Sequence, residues 1–269
     1  MHILRIALLG LAAIVAIVLG LTFLRKASQP ETTPSAHLAR KHASPEAIAA
    51  ARPRIEAKLA ATPEYSDFFN RLKADFPAEY EAFLAKASRR SAVTGETGSP
   101  DLLMIEAARA LRSSHGILAA KAERPALDHV FEMQLAMLRV LAERDQRLCV
   151  DFLFGGGSGD FLKFSAENRT LFAAVAKAGI DAINDGQNKR IVREAPTQKD
   201  FQMLEDQLRA KGLGKAEIEA LLDAKTTDPS LDDVRMCRAG AIYLETLAAL
   251  PEPARMRIYS FAVQLMARS

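Results

Sequence analysis

The 269-residue chain has no tryptophan, 6% aromatic residues and two cysteines, Cys149 and Cys237. So few aromatics, beside abundant Ala, Leu, Glu, Lys and Arg, argue against a sheet protein and for helices. Also absent are H-E-x-x-H, S-x-x-K, C-x-x-C and C-x-x-C-H, so no motif assigns a catalytic residue, a metal site or a cofactor. The chain lacks an excess of charge as well, once its +3 is divided along its length. Residues 1–44 set Arg5, Arg25, Lys26, Arg40 and Lys41 against Glu31 alone. Of the 36 basic and 33 acidic residues this leaves 31 and 32 for the remainder. Binding to a nucleic-acid backbone draws on a basic surface that this balance does not supply, so no nucleic-acid partner is expected.

Present instead is one long apolar run. Ile6 to Leu24 holds no charged residue, and at about 1.5 Å per residue a helix of this length crosses a hydrocarbon core of about 30 Å. The run ends in Leu24-Arg25-Lys26 with no small-residue cleavage site, which predicts an uncleaved anchor over 1–26 rather than a signal peptide. The basic flank taken alone points the following domain into the cytoplasm. Short N-terminal tails commonly stay inside and long domains cross largely regardless of charge, which favours a single-pass inner-membrane protein with its domain in the periplasm or exterior. Residues 27–44 are polar with two prolines, a tether. His37 and His42 lie in it as solvated side chains, since nothing fixes a ligand geometry there.

Beyond the tether, helix starts recur: Ser44-Pro45-Glu46, Thr62-Pro63-Glu64, Ser99-Pro100-Asp101 and Asp228-Pro229 each place a capping side chain before a proline at the first helical position. The spacing predicts helices near 45–61, 63–75, 77–90, 100–121, 125–153, 166–187, 197–211, 215–224, 229–249 and 253–267, with Pro53 kinking or splitting the first. The expected fold is all-α, a multi-helix bundle of antiparallel hairpins behind the single transmembrane helix. Short helical hairpins over 45–90 are divided by "SAVTGETGSP" from a helical core domain over 100–269.

The stretch "FGGGSGD", Phe154, Gly155, Gly156, Gly157, Ser158, Gly159 and Asp160, lacks the Lys-Ser/Thr pair of a phosphate loop and the last glycine of a nucleophile elbow. It reads as a helix end capped by Gly155, followed by a mobile connector that tolerates alanine at 156 and 157. With Phe152, Phe161 and Phe164 beside it, it is also the expected mouth of any ligand pocket. On the 125–153 helix, Leu127, Val130, Phe131, Leu138, Leu141, Leu148, Cys149 and Phe152 share a face. Gln134 and Asp145 fall inside that stripe as expected buried polar residues. His115 lies at the edge of an apolar stripe, and His129 with Glu132 forms an i, i+3 pair better read as solvated than as half a metal site. The Gly212–Gly214 turn resembles a helix-turn-helix in outline, but Glu217, Glu219 and Asp223 on its second helix would repel DNA.

These features support an anchored binding or scaffolding protein with a protein partner in the cell envelope. An apolar-ligand carrier is the alternative, which a deep apolar cavity beside the glycine loop would favour. An enzyme using Asp145, His115 or His129 is a third, requiring two of them to meet in one cleft. Cys149 and Cys237 lie on apolar helix faces, with Gly240 and Ala241 allowing close helix approach, so an exported domain predicts a disulfide between them.

Overall fold

The computed structural model describes residues 43–223 and 231–267, which leaves the 6–24 run, the Asp228-Pro229 start and most of the tether outside the described residues. The described residues are all-helical, and none of their helices is long and apolar enough to cross a membrane.

Two of the sequence caps are made as expected. Ser44 accepts a hydrogen bond from Ala47 N to open α1 (Pro45–Ala60), and Ser99 accepts one from Leu102 N to open α4 (Pro100–Ala119). Pro53 does not split α1. It lies on the exposed face, where water can take up the carbonyl it frees, while Ala51, Ile55 and Leu59 seal the other side. A 3₁₀ turn (Pro63–Tyr65) leads into α2 (Ser66–Asp75), followed by α3 (Pro77–Thr94), which ends on Gly95 at φ 80°.

The expected 125–153 helix is two helices, α5 (Arg124–Arg144) and α6 (Gln146–Leu153). Asp145 between them is extended, at φ −163° and ψ 116°, and its carboxylate accepts from Arg147 N as the α6 cap. It is exposed, which corrects its expected burial: an aspartate gains more by capping a new helix than by entering an apolar core unpaired. A further helix that the periodicity did not indicate, α7 (Gly159–Glu167), precedes α8 (Arg169–Lys189). The rest are α9 (Gln198–Ala210), α10 (Lys215–Asp223), α11 (Asp233–Ala249) and α12 (Glu252–Met266).

Helix α8 packs against α2, α4 and α5, and α11 against α5 and α6. Helices α4 and α8 pack tightly at Gly186, where a Cβ would lie 1.9 Å from the Leu118 carbonyl oxygen; only glycine allows it. Buried apolar residues from Ile55 in α1 to Val263 in α12 form one contiguous cluster. Two buried carboxylates tie its ends together. Asp101 accepts from Tyr65 Oη at 2.7 Å and from Arg169 Nε at 2.8 Å, and Asp200 accepts from Arg257 Nη2 at 2.6 Å while closing a capping box with Thr197. The Cys149 and Cys237 sulfurs are at bonding distance, joining α6 to α11 with Cα atoms 5.6 Å apart. Gly240 makes room beside them, because a Cβ there would overlap Leu153 Cδ1 at 2.6 Å.

Candidate functional site

Between α4, α8 and α12, beside the glycine loop, lies an apolar cavity of about 190 Å³. Its α4 wall is a single stripe: Ile105, Arg109, Arg112, Gly116 and Ala119 recur at helical spacing. Its α8 wall runs from Phe172 through Ala176 and Gly179 to Ile183. Phe68, Leu111 and Ile180 close the interior, each almost fully buried. Exposed lining residues, Arg109, Arg112, Gly155 and Met266, mark the mouth.

Small residues keep this space open. At Gly179, in mid-helix, an added Cβ would meet no atom within 4 Å. That separates it from Gly186, where packing demands glycine.

The glycine loop forms one lip. Gly155 N donates to Phe152 O and Gly156 N to Asp151 O, the paired bonds of a Schellman ending, with Gly155 at φ 111°. The loop that follows is tied down: the Asp151 carboxylate accepts from Gly157 N, Ser158 N and Ser158 Oγ, and Ser158 Oγ accepts from Phe161 N to cap α7. Alanine at 156 is not neutral, contrary to the sequence expectation. Gly156 has φ 57°, and a Cβ would lie 2.9 Å from the Phe161 ring. Gly157 has no such conflict.

Of the four phenylalanines expected at the mouth, Phe152 and Phe161 line the cavity, 5.9 Å apart in a stack. Phe164 is buried away from it against Arg144, and Phe154 is 69% exposed on the loop. Gly155 and Gly156 also line it, whereas Gly157, Ser158, Gly159 and Asp160 do not. Gln134 is half-buried and lines the wall, so one of the two expected interior polar residues reaches the site.

None of Asp145, His115 and His129 lines the cavity. Asp145 caps α6, His115 contacts Glu79 and Ser114 with its ring edge on Phe76, and His129 faces Glu132. No hydrogen bond or ion pair joins any two of them among the described residues, and no cluster of three metal-ligating side chains occurs there.

Sequence reasoning missed Arg109, Arg112 and Gly179. The available signal was the i, i+3 arginine pair with Gly116 one turn further, a second stripe on α4 beside the apolar one. Arg112 sits close enough to the wall that burial, and then the charge of Arg109, lower its pKa from the ordinary value. Compared with known proteins, the chain matches no family model, no curated protein and no solved structure.

Proposed function

We propose that this chain is a membrane-tethered helical binding protein that takes the apolar part of a small molecule into the cavity between α4 and α8. The observation that carries this reading is Gly179. A glycine inside a helix costs about 0.8–1.0 kcal/mol relative to alanine, and nothing around position 179 requires one. Protein interiors hold few voids larger than a water molecule, so an apolar space bordered by glycine and alanine is better explained by a ligand than by packing. A cavity of about 150 Å³ holds benzene. By proportion, the 190 Å³ here accepts about seven or eight carbon atoms. That is below the roughly 300–1,000 Å³ of pockets that enclose drug-sized ligands, so the space takes a small molecule or part of one chain.

Residues 6–24 serve as the anchor and 27–44 as the tether, with the domain in the periplasm or exterior. The uninterrupted apolar run supports the first, and the juxtaposed Cys149 and Cys237 support the last, because disulfides persist in oxidising compartments. Scaffolding of an envelope protein has less support. The exposed large apolar residues Val93, Ile117, Phe154, Val192 and Val234 belong to five different segments, and exposed apolar side chains of this kind are ordinary.

The test uses the full chain in phosphatidylcholine nanodiscs and a neutral eight-carbon alcohol bearing a photoactivatable diazirine. Crosslinks should map to α8 between Phe172 and Ile183. Gly179→Leu should abolish them without lowering the unfolding temperature, since it fills open space and removes a helix glycine. Equal labelling of Gly179→Leu and wild type would overturn the reading.

A further inference from the structure

The cavity's interior is apolar, but its mouth carries two guanidinium groups one helical turn apart. Arg109 and Arg112 make no hydrogen bond and no ion pair among the described residues, although most arginines of the domain do. Two acidic residues of the same lip and helix are engaged elsewhere. Asp151 is taken by the loop amides and the Ser158 hydroxyl, and Glu106 by Arg90. A Cβ on Gly157 would lie 3.8 Å from Arg109 Nη2, so that guanidinium lies against the glycine lip, and Arg112 runs past Gly116 on the cavity wall. Two like charges one turn apart on one rim, neither met by a carboxylate among the described residues, repel each other. An anion there would form charge-assisted hydrogen bonds with both.

We infer that the ligand is an anionic amphiphile, about eight carbons of one chain entering the cavity, its acidic head held by Arg109 and Arg112 and that chain lying between α4 and α8. This rests on the apolar-ligand reading and adds the chemistry of the head. The anion can be a free fatty carboxylate or the head of an anionic lipid.

The experiment uses the same full chain, nanodiscs and neutral photoprobe, now with octanoate and octanol as competitors. Octanoate should suppress cavity labelling at about tenfold lower concentration than octanol, the effect of one partly exposed charge-assisted hydrogen bond. In Arg109→Ala/Arg112→Ala the ratio of the two competitors' effective concentrations should fall to about one, whatever that variant's own level of labelling, and Arg109→Lys/Arg112→Lys should recover most of the preference. Equal competition in the wild type, or a preference that survives the alanine pair, overturns the anionic head and leaves the apolar-ligand reading intact. Absence of cavity labelling in the wild type removes both. Discs containing phosphatidylglycerol separate the sources: suppression of labelling that depends on the two arginines assigns the head to the bilayer, and unchanged labelling assigns it to a soluble carboxylate.

Discussion

Asp101 and Asp200 are 1% and 3% exposed, and each is kept ionised by an arginine fork. For Asp101 burial is the largest single influence and raises the pKa, but the hydrogen bonds from Arg169 and Tyr65 together outweigh it, leaving the carboxyl below its ordinary 3.8. For Asp200 the Arg257 fork leads; with the help of Thr197 it overcomes burial and holds the carboxyl well below the ordinary range. Both folded-state pKa values are depressed, so folding favours the ionised forms. Their contribution is present above the unfolded value of about 3.9 and is lost as pH falls through the lower folded values. Thermal unfolding of the full chain should therefore be nearly flat from about pH 5 to 8 and fall steeply below about pH 4. Asp101→Asn/Asp200→Asn should cost about 1.5–3 kcal/mol per site at neutral pH, the value of a charged hydrogen bond, and should blunt the acid fall. An unchanged acid limb in that variant would show that other carboxylates control it.

The α5–α6 junction shows how one residue sets the course of an element. Leu138, Leu141, Leu148 and Cys149 keep helical phase across it and are all buried, so both helices present one continuous apolar face despite the break. Asp145 leaves helical conformation to cap α6, and α6 carries both Cys149 and the cavity residue Phe152 into position. Asp145→Ala should destabilise the protein by about 0.5–2 kcal/mol, the usual value of such a cap. It should also reduce photoprobe labelling more than its effect on the melting temperature explains, because α6 ends in the glycine lip. Full retention of both stability and labelling would assign the break to packing alone.

Across the whole molecule the longest covalent constraint is the Cys149–Cys237 pair, separated by 88 residues. A bridge of that span restricts the unfolded chain by roughly 4–5 kcal/mol in the entropy account, an upper figure for most measured cases. It would also fix α6 against α11, and hence the loop that forms the cavity's lip. We expect the unreduced, unfolded protein taken from cells to add no alkyl groups to its thiols, and reduction to lower the unfolding midpoint substantially. Two alkyl groups added would leave the thiols free and would count against a domain outside the cytoplasm, since reducing compartments keep such pairs open.

The all-helical class, the capped starts at Ser44 and Ser99, and the meeting of the two cysteines were legible in the sequence. Each depends on local chemistry or on a helix face that sequence spacing records directly. Of the phenylalanines around the glycine loop, Phe152 and Phe161 line the cavity and Phe154 and Phe164 do not. Spacing did not separate α5 from α6, because the apolar phase continues through Asp145, and it concealed α7, whose start lies among glycines that read as loop. The cavity was beyond its reach for a related reason. A glycine's role depends on what stands opposite it: Gly186 faces a backbone oxygen and Gly179 faces open space, yet both are helix-interior glycines to any reading along the chain. Likewise Arg109 and Arg112 differ from the paired arginines only in having no carboxylate brought to them among the described residues, and that depends on how α4 is rotated against α8 and the loop. The helical class and most of the apolar faces are written along the chain; where those faces fail to meet is decided only by tertiary structure, because a void is set by the relative placement of distant surfaces and no single segment encodes it.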